Sequence, residues 1–187
     1  MSKALRSMLA IAVSAVSFST VAASNPDAAT ANESEGNFEI TLGLAPYIVV
    51  NHFDNLALTV DPATGASGQE DICVGGYGFP DYSISFASAN SSGTMPFALK
   101  GDSAGSTDFV PYSIQFANNV TASTGDTVQS DGTTGADVRY ARTASVTDCL
   151  DTAADNARIF IAVDANDWQD VSEQNFTDTL TVTVSAI

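Results

Sequence analysis

The last twelve residues, Phe176-Thr-Asp-Thr-Leu-Thr-Val-Thr-Val-Ser-Ala-Ile187, restrict the fold more than any other stretch. Phe176, Leu180, Val182, Val184 and Ala186 share one parity, and Thr177, Thr179, Thr181, Thr183 and Ser185 share the other. Period two with β-branched residues throughout predicts a strand with one buried and one wet face. The chain ends there, with no turn and no returning strand, so the far edge of this strand is expected to be covered from elsewhere. An uncovered, half-apolar edge is a template for aggregation.

The same alternation recurs upstream. Over 37–45, Phe38, Ile40, Leu42 and Leu44 alternate with Glu39, Thr41 and Gly43, which predicts a second strong strand. Pro46 interrupts it, since proline has no N–H for a ladder. Strand signal returns at 47–50 and 56–60, whereas 61–71 reads as a turn-rich loop. Residues 72–88 carry Cys73, a Gly75-Gly76 pair that reads as a bulge or bend, and Tyr82, Ile84 and Phe86 on one face. Residues 95–100 form a short strand broken by Pro96, hence an expected edge.

Phe79-Pro-Asp-Tyr-Ser-Ile-Ser-Phe-Ala87 and Phe109-Val-Pro-Tyr-Ser-Ile-Gln-Phe-Ala117 match closely, as two strands solving one packing problem. A long Thr-, Ser- and Gly-rich loop with room for one short strand follows over 119–135. Residues 136–146 read as a moderate strand, and 158–163 as a strand with Ile159, Ile161 and Val163 inward. An acidic loop with Trp168 fills 164–175. No stretch sustains a 3.6-residue apolar period, and short strands separated by turn signals predict an all-β sandwich.

Residues 1–23 read as a secretory signal peptide: Lys3 and Arg6, an apolar run from Met8 to Val16, then small residues at Val21-Ala22-Ala23. The run is too short to span a bilayer, and no later stretch reaches the ~20 apolar residues a spanning helix needs. Residues 24–36 read as a flexible polar leader. The formal net charge of the whole chain is −16. Without Lys3 and Arg6, four basic residues remain against 22 acids, a net charge of −18. Such a surface repels nucleic acid and anionic membrane. Cys73 and Cys149 in an exported chain are expected to form one disulfide. Free thiols or a metal pair are the alternatives, and His52, the one histidine, is too little company for zinc.

Little points to catalysis, and the reading is of a non-enzyme without a cofactor. His52 sits in a strand kink beside Phe53, with no nucleophile-elbow serine, and reads as a surface or turn residue. The acids are spread over solvated loops rather than paired for glycoside chemistry. Asp164-Ala-Asn-Asp-Trp-Gln-Asp170 gathers oxygen ligands suited to calcium, but without the glycine and terminal glutamate of a helix–loop–helix site. The simpler reading is an acidic surface loop with Trp168 tucked against the sandwich.

The ending Phe176–Ser185 resembles the C-terminal strand of chaperone–usher pilins, nearest the archaic, spore coat protein U-like type. Cys149 followed by Asn156-Ala157-Arg158-Ile159 is similar to the family's penultimate strand region. Phe97-Ala-Leu99, a turn and Pro111-Tyr-Ser-Ile114 are similar to its mid-domain hairpin. The resemblance runs over about residues 38–187.

It implies an immunoglobulin-like sandwich over 46–187 that lacks one strand, and a donor strand within 37–45. In the family a periplasmic chaperone fills the gap first. The N-terminal strand of the next subunit then replaces it at an outer-membrane usher, which builds a fibre on the cell surface. Phe38, Ile40, Leu42 and Leu44 match the donor strand. Leu180, Val182 and Val184 would line the acceptor groove, with help from Tyr47 to Val50. Neighbouring copies or sister pilins would then be the partners. Residues 38–44 could instead complete their own domain, which would make the chain a self-contained secreted or surface binding module, adhesin-like and calcium-dependent in one version.

Overall fold

Alternating apolar and polar residues become two stacked sheets with a shared aromatic core. The computed structural model describes residues 34, 36–151, 154–169 and 171–187. The expected signal peptide and nearly all of the polar leader lie outside the described residues. The strands are β1 Tyr47–Asn51, β2 Thr59–Asp61, β3 Gly65–Tyr77, β4 Asp81–Ser88, β5 Ala98–Gly101 and β6 Phe109–Pro111. They continue with β7 Ser113–Ala117, β8 Asp126–Thr127, β9 Tyr140–Ala141, β10 Ala157–Val163, β11 Phe176–Thr177 and β12 Leu180–Ala186. A 3₁₀ turn occupies Asp148–Leu150. Among the described residues no helix is long and apolar enough to cross a membrane.

The larger sheet runs β1-β3-β10-β7-β8, with β2 also on β3. The facing sheet runs β12-β4-β9, and a small third sheet runs β11-β5-β6. The ladders between these strands are antiparallel. The two matching sequence segments face each other across the core. Tyr82, Ile84 and Phe86 come from β4, and Tyr112, Ile114 and Phe116 from β7 and the residue before it; all six are buried. The Phe86 and Phe116 rings lie 6.4 Å apart, and Tyr140 meets Phe116 edge-on at 4.8 Å. Each buried phenol finds an acceptor, as burial requires. Tyr82 donates to Asn118 at 2.7 Å, Tyr112 to Asp178 at 2.6 Å and Tyr140 to Asp126 at 2.9 Å. Cys73 and Cys149 form a fully buried disulfide that ties β3 to the 3₁₀ turn.

One side of the sandwich is closed. The loop after β8 crosses to the far edge of β4, where Phe86 N donates to Gly132 O at 2.8 Å and Ser85 bridges Thr133. Gly132 has φ 84°, and a Cβ there would sit 2.2 Å from Phe86 O, so no side chain fits.

Several expectations are corrected. Residues 65–71 are strand rather than loop, because β10 pairs with β3 from Ala66 to Ile72. Gly75-Gly76 is neither bulge nor bend, since β1 pairs with 73–77 in unbroken register. The glycines are there for closeness: a Cβ on Gly75 would meet Ser145 O at 2.4 Å and Cys149 Sγ at 2.8 Å. Pro96 precedes β5, which lies between β11 and β6 and is not an edge. The strand expected over 56–60 shifts to Thr59–Asp61, and that over 136–146 shrinks to Tyr140–Ala141. Residues 38–46 carry no strand. Alternation prepares a segment for a ladder, but only a paired neighbour makes it a strand.

Candidate functional site

The side of the sandwich opposite the Gly132 loop is open. Strand β12 pairs with β4 from Leu180↔Ser88 to Ala186↔Tyr82, and among the described residues no ladder forms on its other edge. Leu180, Val182 and Val184 turn inward and are half-buried, while Thr181, Thr183 and Ser185 are exposed. The parity read from the sequence is therefore the parity observed, but the inward row is only partly covered.

The opposite wall comes from β3. Strand β2 pairs with Gly65–Ser67 and β1 with Cys73–Tyr77. Both lie on the edge away from β10. This follows because β2 and β10 flank the same residues, and because the Asn156 amide, just before β10, bonds Val74 N and O on the other edge at 2.9 Å each. Between β1 and β2, residues 52–58 cross the edge as a strap with no strand. Asp54 N donates to Glu70 Oε1, and Leu56 and Leu58 lie over Gly68, where a Cβ would approach both to 3.0 Å.

A groove of about 350 Å³ lies between the strap and β12. Ile159, Ile161, Leu99, Leu180 and Val182 give it an apolar lining, with Leu56 and Leu58 on the strap side. A further hollow of about 860 Å³ shares Leu56, Leu58 and Leu99 and extends past Val110, Val163, Trp168 and Phe176. Two hydrogen-bonded carboxylates interrupt the lining. Asp178 accepts from Tyr112. Glu70 accepts from Asp54 N, and burial together with the nearby Asp54, Asp71 and Asp155 raises its pKa above the ordinary value.

The structure thus brings Leu180 and Val182 into one groove. Val184 packs on the core beyond that lining, as do Ile48 and Val50 of β1. Strand β1 runs close to β12, with Cα atoms within 8 Å but no ladder between them. Sequence reading missed the strap, Leu99, Ile159 and Ile161 as groove residues. Their inward parity was visible, but which inward residues stay uncovered depends on which edges pair.

Phe38, Ile40, Leu42 and Leu44 are 74%, 82%, 80% and 63% exposed. Four large apolar side chains in one alternating row thus face solvent. Leu44–Ile187 separates as a unit from the residues before it.

His52 lies in the kink that follows β1 and is partly buried. It holds φ 71°, a left-handed value uncommon outside glycine, and its Nδ1 pairs with Asp155. Its Nε2 is buried and finds no hydrogen-bond partner among the described residues. In the acidic loop, Asp164 accepts from Asn166 N at 2.9 Å and Asn166 Nδ2 at 2.6 Å, while Trp168 packs against the core. Asp170 lies outside the described residues. Among the described residues no group of three or more His, Cys, Asp or Glu is placed to hold a metal ion.

No protein-family model matches the chain, and no curated protein matches it. Among solved structures, it is similar to a chain from one described as "Chaperone-tip adhesin complex is vital for synergistic activation of CFA/I fimbriae biogenesis". The similarity covers 75% of this chain and 42% of that one, at 15% sequence identity and a TM-score of 0.47. This chain therefore spans less than half the length of that chain.

Proposed function

We propose that the chain is a structural subunit of a surface pilus, exported through the periplasm and polymerised by donor-strand exchange. In this reading a chaperone holds the groove until an outer-membrane usher delivers the next subunit. One observation carries it: among the described residues β12 has an edge without a ladder, beside an apolar groove, in a chain that also exposes an alternating apolar row at Phe38, Ile40, Leu42 and Leu44. The dimensions agree. Strand β12 is seven residues long, and 38–44 is also seven residues, about 20 Å when extended. The buried Cys73–Cys149 bridge supports export to an oxidising compartment.

The energetics favour a seated strand over a loose contact. Burying four such side chains contributes roughly 6–12 kcal/mol. Ordering seven residues costs about 7–14 kcal/mol, so burial only offsets ordering. The margin then comes from main-chain bonds to the free edge of β12, as in other strand-addition complexes. Transfer of an arm from copy to copy is head-to-tail and does not close, so it builds a filament.

The test uses a chain lacking 24–45 and a synthetic peptide of residues 37–45. The truncated chain is expected to capture the peptide and gain thermal stability, and the full chain to form multimers. The Ile40→Asp peptide is expected to fail, because it places a carboxylate in the groove. Two stable monomers, full-length and truncated, with no peptide capture by either, would return the chain to a self-contained β-module.

A further inference from the structure

Phe160 departs from the pattern of its own strand. Strand β10 turns Ile159, Ile161 and Val163 into the core, so Arg158, Phe160 and Ala162 face out from the larger sheet. Register sets Gln69 of β3 and Gln115 of β7 on either side of Phe160 in one row, with Ser67, Ala162 and Ser113 in the next. The turn at 119–123 rises beside them, held where Arg158 Nη1 donates to Ala122 O at 3.2 Å. The result is a cleft of about 560 Å³ with a half-buried phenyl ring at its floor.

The lining is polar but carries no net charge. The Arg158 guanidinium is matched by a bidentate contact with Asp71. Among the described residues, the side chains of Gln69, Ser67 and Ser123 make no hydrogen bond within the chain, and Gln115 spends only its Oε1, on Gly125 N. The outward face of β4 and β12 is also rich in hydroxyls, with Ser83, Ser85, Thr181 and Thr183, but has no aromatic ring among them.

A flat apolar ring edged by amides and hydroxyls complements a ligand with a C–H face and a hydroxyl rim. A pyranose ring has both. The volume falls in the usual range of about 300–1,000 Å³ for small-ligand sites. A chain of net charge −16 disfavours anionic sugars. We propose that this cleft binds a neutral glycan, with one sugar ring stacked on Phe160 and its hydroxyls bonded by Gln69 and Gln115. The site lies on the outer face of the sheet, away from the groove, and its function does not depend on what fills that groove.

Saturation-transfer NMR and calorimetry on the full chain test this, with lactose, maltotriose and chitotriose as neutral probes and sialyllactose as the anionic one. At least one neutral probe is expected to bind with a Kd of about 0.1–1 mM, and sialyllactose more weakly. Phe160→Ala and Gln69→Ala are each expected to weaken binding about tenfold, with Phe160→Trp retaining it. Circular dichroism and the thermal midpoint check the fold of each variant. The proposal fails if no neutral probe binds at about 10 mM, if sialyllactose binds as well, or if a folded Phe160→Ala binds like the parent. A concentration-dependent dimer abolished by Phe160→Ala would assign the face to a second copy and also overturn it.

Discussion

Tyr112 donates its hydroxyl hydrogen to Asp178 over 2.6 Å, at the step where the last strand passes from one sheet to another. Before that step β11 pairs with β5; after it β12 pairs with β4. The second Asp178 oxygen accepts from Asn90 N at 3.2 Å, and the Asn90 amide donates to Thr177 O at 2.9 Å. One carboxylate therefore fixes where β12 begins, and so the position of the groove. Tyr112→Phe is expected to lower stability by about 1–3 kcal/mol, because it leaves a partly buried carboxylate short of a donor. Urea unfolding checks this, as a lower midpoint at unchanged slope.

The buried phenols make the fold sensitive to alkali. Burial raises the pKa of Tyr82 and Tyr112 far above the ordinary value of 10.0, and that of Tyr140 to about 12. Folded protein therefore holds these protons more tightly than unfolded chain. Their contribution is fully present below pH 10.0 and is lost as pH rises through the folded values. The urea midpoint is expected to fall steadily above that pH, with phenolate absorbance rising as the protein unfolds.

Glu70 works in the opposite pH range. Its pKa is raised, chiefly by burial, so its protonated form suits the folded state. The benefit is complete below the unfolded value of 4.5 and disappears as pH rises through the folded one. Glu70→Gln keeps an oxygen for Asp54 N and removes the charge. It is expected to match the parent in acid and to exceed it at neutral pH by up to about 1 kcal/mol, read from urea curves across pH.

The Cys73–Cys149 bridge closes a loop spanning 76 positions. The chain-entropy model gives about 4.5 kcal/mol for such a loop. Cys73→Ala with Cys149→Ala is expected to cost several kcal/mol in chemical unfolding, and native protein should show no thiol to a labelling reagent. Labelling of either cysteine would contradict the bridge.

Gly75→Ala is expected to cost about 1–3 kcal/mol, since its Cβ would press on Ser145 O at 2.4 Å and on the disulfide. A thermal midpoint within about 1 °C of the parent would show that the 3₁₀ turn can move aside.

Alternation along the chain was enough to assign the faces. Period two put Tyr82, Ile84 and Phe86, Ile159 and Ile161, and Leu180 and Val182 on inward rows, and the paired segments 79–87 and 109–117 both became core. The sequence also carried the disulfide, through two cysteines in a chain whose first residues read as an export signal. These are local properties, set by alternation along one strand. Which edges pair was set by contacts between distant segments. The tertiary structure turned 65–71 from loop to strand, because β10 supplied a ladder that the Gly- and Ser-rich composition conceals. Among the described residues it left one edge of β12 without a ladder and laid 52–58 across the facing edge, which made an inward row into a groove. Side-chain period fixes which way a residue points, whereas hydrogen-bond pairing joins residues far apart in the chain.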